Sequence, residues 1–124
     1  MNDIKNYMKE KFKEESFSDM LLRLIDEKGL QDSEVYKAAF IDRKLFSKIR
    51  CDKNYKPSKK TVICLVMALK LDNKMSKKLI KKAGYILTSA SKFDLAVRYC
   101  IENEIYDLIK VNELVYEQSN ISLI

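Results

Sequence analysis

The chain has 124 residues, the length of one domain or of one domain with an appendage. Two glycines and one proline are too few for the frequent turns of an all-β fold, and the abundant Lys, Leu, Glu and Ile favour helices. The absence of histidine excludes a Ser-His-Asp triad and histidine zinc ligands, and the glycines lie too far apart for a phosphate-binding loop. The composition predicts an all-α fold, and we expect no enzyme activity, metal or cofactor.

Two further features bear on location. No apolar run is long enough to span a membrane, and the first residues lack the apolar core of a secretory signal. The three cysteines, Cys51, Cys64 and Cys100, form no CxxC pair, so we expect reduced thiols rather than a disulfide framework. These features predict a cytoplasmic protein with no membrane contact.

Helical spacing and capping residues predict the first two elements. Residues 1–15 carry an apolar stripe at i, i+3, i+4 and i+8, which indicates a short amphipathic helix or an arm that orders on a partner. Ser16 and Asp19 have the spacing of a capping box, and Gly29 suits a left-handed stop, so a helix is expected between them. The two apolar faces are Ile4, Tyr7, Met8 and Phe12 in the first element and Phe17, Leu21, Leu24 and Ile25 in the second.

A short helix and a cationic helix are predicted next. The short helix starts at Asp32 and runs through Ala39, with Val35 and Ala38 facing inward and Ala39 as a further inward candidate. Asp42 then caps a helix that spans residues 43–51. The inward residues of this helix are Leu45, Phe46 and Ile49, and its outward residues, all cationic or hydroxylic, are Arg43, Lys44, Ser47, Lys48 and Arg50.

The remaining sequence predicts four more helices. After a polar loop that ends at Pro57, Ser58 caps a helix over 59–71 that is apolar nearly all round and should be the most buried. Further helices are expected over 73–82, from a second capping box at Ser91 to about residue 102, and over 106–116. The last of these is predicted to face Ile109, Leu114 and Val115 inward, and the apolar tail over 119–124 to dock or to pair with a partner.

The net charge of +6 is unevenly distributed. Residues 1–89 carry +9 and residues 90–124 carry −3. Between Arg43 and Lys82, 14 Lys or Arg residues stand against only Asp52 and Asp72. Such a block is typical of a nucleic-acid-binding surface, because neutralising phosphates releases counterions. A lysine-rich solvated surface is the alternative explanation.

The stretch from Leu21 to Leu71 resembles the lambda-repressor-like, or Xre-type, helix-turn-helix family. The matching residues are Leu21-Leu22, Leu24-Ile25, Glu27-Lys28-Gly29-Leu30, Val35, the run from Ile41 to Arg50, Pro57-Ser58, Thr61, Leu65, Ala68-Leu69 and Leu71. The resemblance implies a helix-turn-helix bundle of about five helices, here followed by two C-terminal helices. In that bundle the segment 43–51 would be the recognition helix.

Two positions depart from the family pattern. The family usually has a small Ala in the middle of its second helix, where this chain has Tyr36, and a Gly in the turn, where this chain has Ala39 or Phe40. A non-Gly residue at positive φ is uncommon and costs free energy. We therefore expect a remodelled turn or a more open helix crossing.

The resemblance implies a DNA-binding transcriptional regulator that is a dimer on double-stranded DNA. In the family the recognition helix meets base edges in the major groove, where Arg bridges guanine O6 and N7. The loop that follows and the next helix N-terminus meet phosphates. The candidate DNA-binding residues are Arg43, Lys44, Ser47, Lys48, Arg50, Lys53, Tyr55, Lys56, Lys59 and Lys60.

A second class of function remains open. A small basic helical protein suits an inhibitor or adaptor that binds a nucleic-acid-processing protein, for example a phage anti-defence or anti-CRISPR protein. Tyr36 and Phe40 motivate this hypothesis, because they place aromatic rings where DNA-binding relatives need small residues. Interface hot spots favour aromatic residues and Arg, and the cationic face would then bind a protein or another nucleic acid.

The predicted organisation has three parts: an N-terminal arm or short helix over 1–15, a helix-turn-helix domain over 16–88, and a helical extension over 89–124. The extension is acidic and apolar, so we expect it to form a homodimer interface through residues 90–124 or to dock a partner. In a dimer of this kind the two DNA half-sites would be related by a two-fold axis.

Overall fold

The computed structural model describes residues 3–124, and within that range the chain forms eight helices and no strand. The helices are α1 (Asp3–Lys11), α2 (Phe17–Glu27), α3 (Asp32–Ala38), α4 (Arg43–Cys51), α5 (Lys59–Ala68), α6 (Asn73–Lys82), α7 (Lys92–Glu102) and α8 (Leu108–Ser119). The prediction of an all-α fold is confirmed. None of these helices is long and apolar enough to cross a membrane, and this holds for the described residues 3–124.

Side-chain caps of one spacing fix the start of five helices. Ser16, Asp42, Ser58, Asp72 and Ser91 each accept a hydrogen bond from the backbone N–H three residues later, at 2.7 to 3.2 Å. A helix begins where such a cap occupies one of its four unpaired N–H groups. The caps predicted at residues 16, 42, 58 and 91 are confirmed.

Five helices end in the same left-handed turn. The residue after each C-cap has a positive φ: Gly29 (+65°), Phe40 (+57°), Lys70 (+51°), Gly84 (+88°) and Glu104 (+55°). In each case the next N–H donates to the carbonyl five residues earlier, as Ile41 does to Tyr36 at 3.0 Å. Phe40 adopts this conformation although it is not a glycine, so the turn before residue 42 is not remodelled as the sequence led us to expect.

One cluster of buried side chains extends from Phe17 to Leu123 and includes residues of every helix from α2 to α8. Residues 62–67 of α5 are all buried, which confirms α5 as the central helix. Helix α7 packs on α6 and α8, and α8 also packs on α5. The C-terminal helices therefore share a core with the preceding bundle, and their inward faces are used within the chain.

Two predictions of inward-facing residues were wrong. Ala38 is exposed, and its neighbour Ala39 is buried at the end of α3. In α8, Ile109 is 52% exposed, whereas Leu108 and Val111 are buried. Val35 and Val115, also predicted to face inward, are buried, so each error concerns one residue beside a face that was otherwise placed correctly.

The bounds of two helices also differ from those predicted. Helix α5 ends at residue 68 rather than 71, since the chain turns at Lys70. Helix α8 begins at residue 108 rather than 106, because the Asp107 carboxylate accepts hydrogen bonds from the backbone N–H groups of Ile109 and Lys110. Tyr106 lies outside the helix, and its hydroxyl donates to the carbonyl of Leu71 at 2.8 Å.

Helix α1 stands apart from the core. The short helix predicted in the segment 1–15 forms over Asp3–Lys11, and residues 1 and 2 of that segment lie outside the described residues. No residue of α1 is buried. Its apolar stripe is 50 to 84% exposed and consists of Ile4, Tyr7, Met8 and Phe12, the last of which follows the helix end.

Candidate nucleic-acid interface

Contacts on the inner side of α4 fix which face of this helix is outward. Phe46 and Ile49 are buried, and the Phe46 ring lies 5.8 Å from the ring of Tyr36 on α3, measured between centroids. The buried Ser18 hydroxyl of α2 donates to the Ile49 carbonyl at 2.7 Å. Because that carbonyl is one of the last four of α4, this bond satisfies an otherwise unpaired acceptor and holds the helix in register.

The outward face of α4 is cationic. Arg43, Lys44, Ser47 and Lys48 are all exposed, and no acidic residue lies between positions 43 and 51. Within residues 3–124, Arg43 and Lys44 have neither an ion pair nor a side-chain hydrogen bond. Their charges are therefore uncompensated by the described part of the chain and are available to an external anion.

Two other candidate residues are in surface ion pairs. The Arg50 guanidinium donates to the Asp32 carboxylate at the start of α3, at 2.7 Å. The Lys53 ammonium lies 3.4 Å from the Asp19 carboxylate of α2. All four side chains are at least 40% exposed, so water screens both pairs and either cation can exchange its carboxylate for a phosphate.

Tyr55 supports α4 from the following loop. Its half-buried ring lies under the Lys48 ammonium, 4.6 Å from nitrogen to ring centroid. The loop is held by a hydrogen bond from the Asn54 N–H to the Asp52 carboxylate at 2.9 Å. The cation–π contact occupies one face of the Tyr55 ring and restrains Lys48 on the outward face of α4.

Lys56 and Lys59 face the C-terminal part of the chain. The Lys56 ammonium lies over the Tyr85 ring, 4.8 Å from the centroid, and the Tyr85 hydroxyl donates to the Pro57 carbonyl at 2.8 Å. The Lys59 ammonium donates to the buried Asp94 carboxylate at 2.9 Å. Lys56 thus links the loop before α5 to Tyr85, which precedes α7. Lys59 links the start of α5 to Asp94 within α7.

Lys60 lies at the edge of a broad groove beside the N-terminal end of α4. The groove is also lined by Ile41, Leu45, Asn112 and Leu123. Lys60 is exposed and has no ion pair within residues 3–124. The apolar tail that the sequence singled out therefore docks inside the chain, next to the turn before α4, and leaves the outward face of α4 uncovered.

Asn112 holds this tail in place. Its side-chain oxygen accepts hydrogen bonds from the backbone N–H groups of Leu123, at 2.7 Å, and Ile124, at 3.2 Å. Leu123 is buried as a result. Sequence reasoning did not identify Asn112, because a polar residue within a helix carries no local signal of a contact with a segment eleven residues away.

Shifted pKa values occur away from the outward face of α4. Hydrogen bonds from the Arg23 guanidinium lower the pKa of the Glu15 carboxyl, and a bond from Ser16 lowers that of Asp19. Burial raises the pKa of the Cys64 thiol to about 11 and also raises that of Cys100. Each of these shifts has its cause in capping, surface pairing or burial.

All three thiols are free: Cys51 is exposed at the end of α4, and Cys64 and Cys100 are buried. The expectation of unpaired cysteines is confirmed. Comparison of the chain with protein-family models, with curated proteins and with solved structures finds no match.

Proposed function

We propose that the chain is a DNA-binding transcriptional regulator in which α3, the turn at Phe40 and α4 form a lambda-repressor-like helix-turn-helix. The observation that supports this most directly is the outward face of α4, which presents Arg43, Lys44, Ser47 and Lys48 without a carboxylate. In this proposal α4 enters the major groove of double-stranded DNA, where Arg43 and Lys44 reach base edges or phosphates.

The remaining candidate residues divide into two groups. Arg50, Lys53 and Lys60 flank α4 and would contact backbone phosphates, with the surface pairs of Arg50 and Lys53 opening on binding. Tyr55, Lys56 and Lys59 make contacts within the chain, so their contribution is to position the loop and α5. Phosphate contacts set the register on the duplex, whereas base contacts set the sequence preference.

We also propose that the regulator is a homodimer that uses residues 90–124. The inward residues of this segment, such as Val97, Val111 and Val115, are buried against the chain's own core. A dimer interface must therefore use outward residues, among which Leu95, Tyr99 and others are large, apolar and exposed.

Fluorescence anisotropy with labelled mixed-sequence duplexes tests DNA binding. We expect affinity to fall steeply with salt and the variant Arg43→Ala/Lys48→Ala to lose at least about tenfold in affinity, with a salt slope smaller by about 2. The charge-matched control Lys74→Ala/Lys78→Ala on α6 should lose much less, and circular dichroism should show unchanged helicity in both. Equal binding of every duplex by wild type and by the α4 variant would refute the proposal.

The second candidate function is the inhibitor or adaptor that binds a nucleic-acid-processing protein. The observation in its favour is Phe40, a large aromatic side chain that is 55% exposed in the turn before α4. Tyr36 does not share this role, since it is half-buried against Phe46. A stoichiometric partner captured by wild type but lost with Phe40→Gly would support it, and recovery of DNA alone would contradict it.

A further inference from the structure

A crevice between α6 and α7 has an apolar base. Its volume is about 280 Å³, and the linker that joins the two helices also lines it. Ile80 of α6 and Ile101 of α7 are buried and lie at its base, and the half-buried Leu87 of the linker lies beside them. We call this cavity the α6–α7 crevice. It is separate from the outward face of α4, since no residue of α4 lines it.

The rim of the α6–α7 crevice is cationic. Lys77 and Lys81 of α6 line it together with Arg98 of α7, and among the described residues no Asp or Glu does. Neither lysine has an ion pair or a side-chain hydrogen bond within residues 3–124. The two lysines are four positions apart on one helix, a spacing at which like charges repel each other. An anion bound between them would relieve that repulsion.

Arg98 is the cation that its own chain satisfies least. Its half-buried guanidinium donates one hydrogen bond, to the Ser89 hydroxyl at 2.8 Å, and has no carboxylate partner within residues 3–124. By contrast, Arg23 and Arg50 are 43% and 48% exposed and are both paired with carboxylates. A guanidinium carries five N–H donors in a fork that matches a carboxylate, and Arg is seldom buried without a partner. Arg98 therefore has donors available for an external anion.

Ile86 adds an apolar contribution at the rim. This linker residue lines the α6–α7 crevice and is 68% exposed. A large aliphatic side chain gains free energy when an apolar group covers it, because apolar area is removed from water. A ligand with an apolar body would cover Ile86, whereas an inorganic anion would not. The crevice thus combines a site for negative charge with a site for an apolar group.

We propose that the α6–α7 crevice binds a small organic carboxylate with a compact apolar body. The carboxylate accepts hydrogen bonds from Arg98 and lies near Lys77 and Lys81. The apolar body rests on Ile80 and Ile101 and is covered by Ile86. This function goes beyond the proposed regulator and does not depend on what α4 binds.

The size of the crevice favours a small molecule over a helical segment of a protein. One turn of an α-helix with its side chains is about 10 Å wide and 5.4 Å long, so it occupies about 400 Å³. That exceeds the crevice volume of about 280 Å³. At about 30 Å³ per water molecule, the crevice holds about nine waters, or an acid of about ten non-hydrogen atoms.

Nuclear magnetic resonance titration of the ¹⁵N-labelled full chain with octanoate tests this proposal. Octanoate is a carboxylate of the expected size, and octan-1-ol and octylammonium present the same chain without charge and with the opposite charge. We expect octanoate to shift the backbone signals of residues that line the crevice, among them Ile80, Leu87 and Arg98. Its affinity should exceed that of octan-1-ol by at least about tenfold, because its charge is paired in the bound state. Octylammonium should leave these signals unchanged.

Matched variants of α6 locate the charge. Lys77→Gln/Lys81→Gln removes two cations of the rim, and the control Lys74→Gln/Lys78→Gln makes the same change of charge on the same helix outside the crevice. All four lysines are exposed, so both variants should fold, as circular dichroism can verify. We expect the crevice variant to bind octanoate at least about tenfold more weakly and the control to differ from wild type by about twofold or less.

Two single variants test the remaining contacts. Arg98→Gln should also weaken octanoate binding by about tenfold, because it removes the guanidinium fork. Ile86→Ser keeps every charge and should weaken binding of octanoate and of octan-1-ol by about the same factor, since both would cover this side chain. Should Arg98→Gln fail to fold, the two α6 variants still decide the outcome.

Several results would overturn the proposal. Equal losses in the two α6 variants would show general attraction to a basic surface, and equal affinities for octanoate and octan-1-ol would show an apolar cavity without a role for charge. Inorganic phosphate that binds as tightly as octanoate would show an ion site without an apolar part. Shifts confined to residues outside the crevice, or no binding of octanoate, would also refute it. Binding of an octaglutamate peptide without binding of octanoate would assign the cations to a protein partner instead.

These outcomes are distinct from those for DNA binding. If wild type binds no duplex but binds octanoate in the α6–α7 crevice, the regulator proposal fails and the carboxylate site stands. If wild type binds DNA through α4 but octanoate does not bind, the carboxylate site fails and the regulator proposal stands.

Discussion

The buried ion pair between α5 and α7 offers the sharpest test of how the C-terminal helices are attached. Oδ2 of Asp94 accepts hydrogen bonds from the Lys59 ammonium at 2.9 Å and from the Thr88 N–H at 2.8 Å. The Asp94 side chain is 2% exposed, whereas that of Lys59 is 31% exposed. Loss of Lys59 would therefore leave a buried charge, whereas loss of the Asp94 charge would leave an ammonium that water can solvate.

We expect Lys59→Met to destabilise the protein more than Asp94→Asn. Removing Lys59 leaves a buried carboxylate with one hydrogen bond, and breaking a buried pair in this way costs about 3–5 kcal/mol. Removing the charge of Asp94 leaves an ammonium that can turn towards water and an amide oxygen that can still accept from Thr88, so about 2 kcal/mol is expected. The double variant should cost clearly less than the sum of the two.

Urea unfolding followed by circular dichroism at 222 nm measures these differences. With a slope of about 2 kcal/mol per M, Lys59→Met should lower the midpoint by about 2 M and Asp94→Asn by about 1 M. The matched control is Lys60→Met, at an exposed neighbour without an ion pair in residues 3–124, and it should change stability by about 0.5 kcal/mol or less.

The variant Lys59→Met also tests whether Lys59 contacts DNA. If Lys59 serves the attachment of α7, its replacement leaves the salt dependence of DNA binding unchanged under conditions where the protein is folded. If Lys59→Met has the urea midpoint of wild type and a salt slope of DNA binding reduced by about 1, the role of Lys59 in attaching α7 is refuted and Lys59 is a phosphate contact.

Three further outcomes are expected. In the native protein a thiol reagent should modify Cys51 rapidly and should reach Cys64 and Cys100 only after unfolding; rapid loss of all three thiols would contradict the burial of the latter two. Because burial raises the pKa of Cys64 from 9.0 to about 11, the unfolded chain releases this proton first, so stability should fall as pH rises from 9 to 11. Replacing Cys64 by Val should reduce that fall. A variant with the same pH profile of stability as wild type would contradict its attribution to Cys64. Asn112→Ala should release the tail, seen as fast hydrogen exchange at Leu123, at a cost of about 1–3 kcal/mol.

The extent of the candidate site could be predicted only in part. The outward face of α4 followed from its spacing, because Phe46 and Ile49 mark the inward side and the remaining positions are polar. The loop lysines were less predictable. Lys56 and Lys59 have the same chemical character as Lys60, and their different surroundings depend on Tyr85 and Asp94, which are distant in the sequence.

Local features of this protein are determined by the sequence alone. Caps such as Ser16 and Asp42 bond to N–H groups three residues away, so the residues that start a helix are neighbours in the chain. The left-handed stop at Gly29 is also a local property, because a glycine adopts a positive φ without steric cost. Interactions within one helical turn can be predicted without knowing how the helices pack.

Tertiary structure alone decided that Leu108 rather than Ile109 faces inward in α8, that Lys59 pairs with Asp94 across 35 positions, and that Leu123 docks on Asn112. It also left the stripe of α1 outside the core, with no residue of that helix buried. The physical reason is that burial and ion pairing depend on which helices lie side by side. Leu108, Val111 and Val115 have the spacing of one helical face, but Ile109 and Leu114 are apolar too, so the sequence alone does not select which apolar residue is buried.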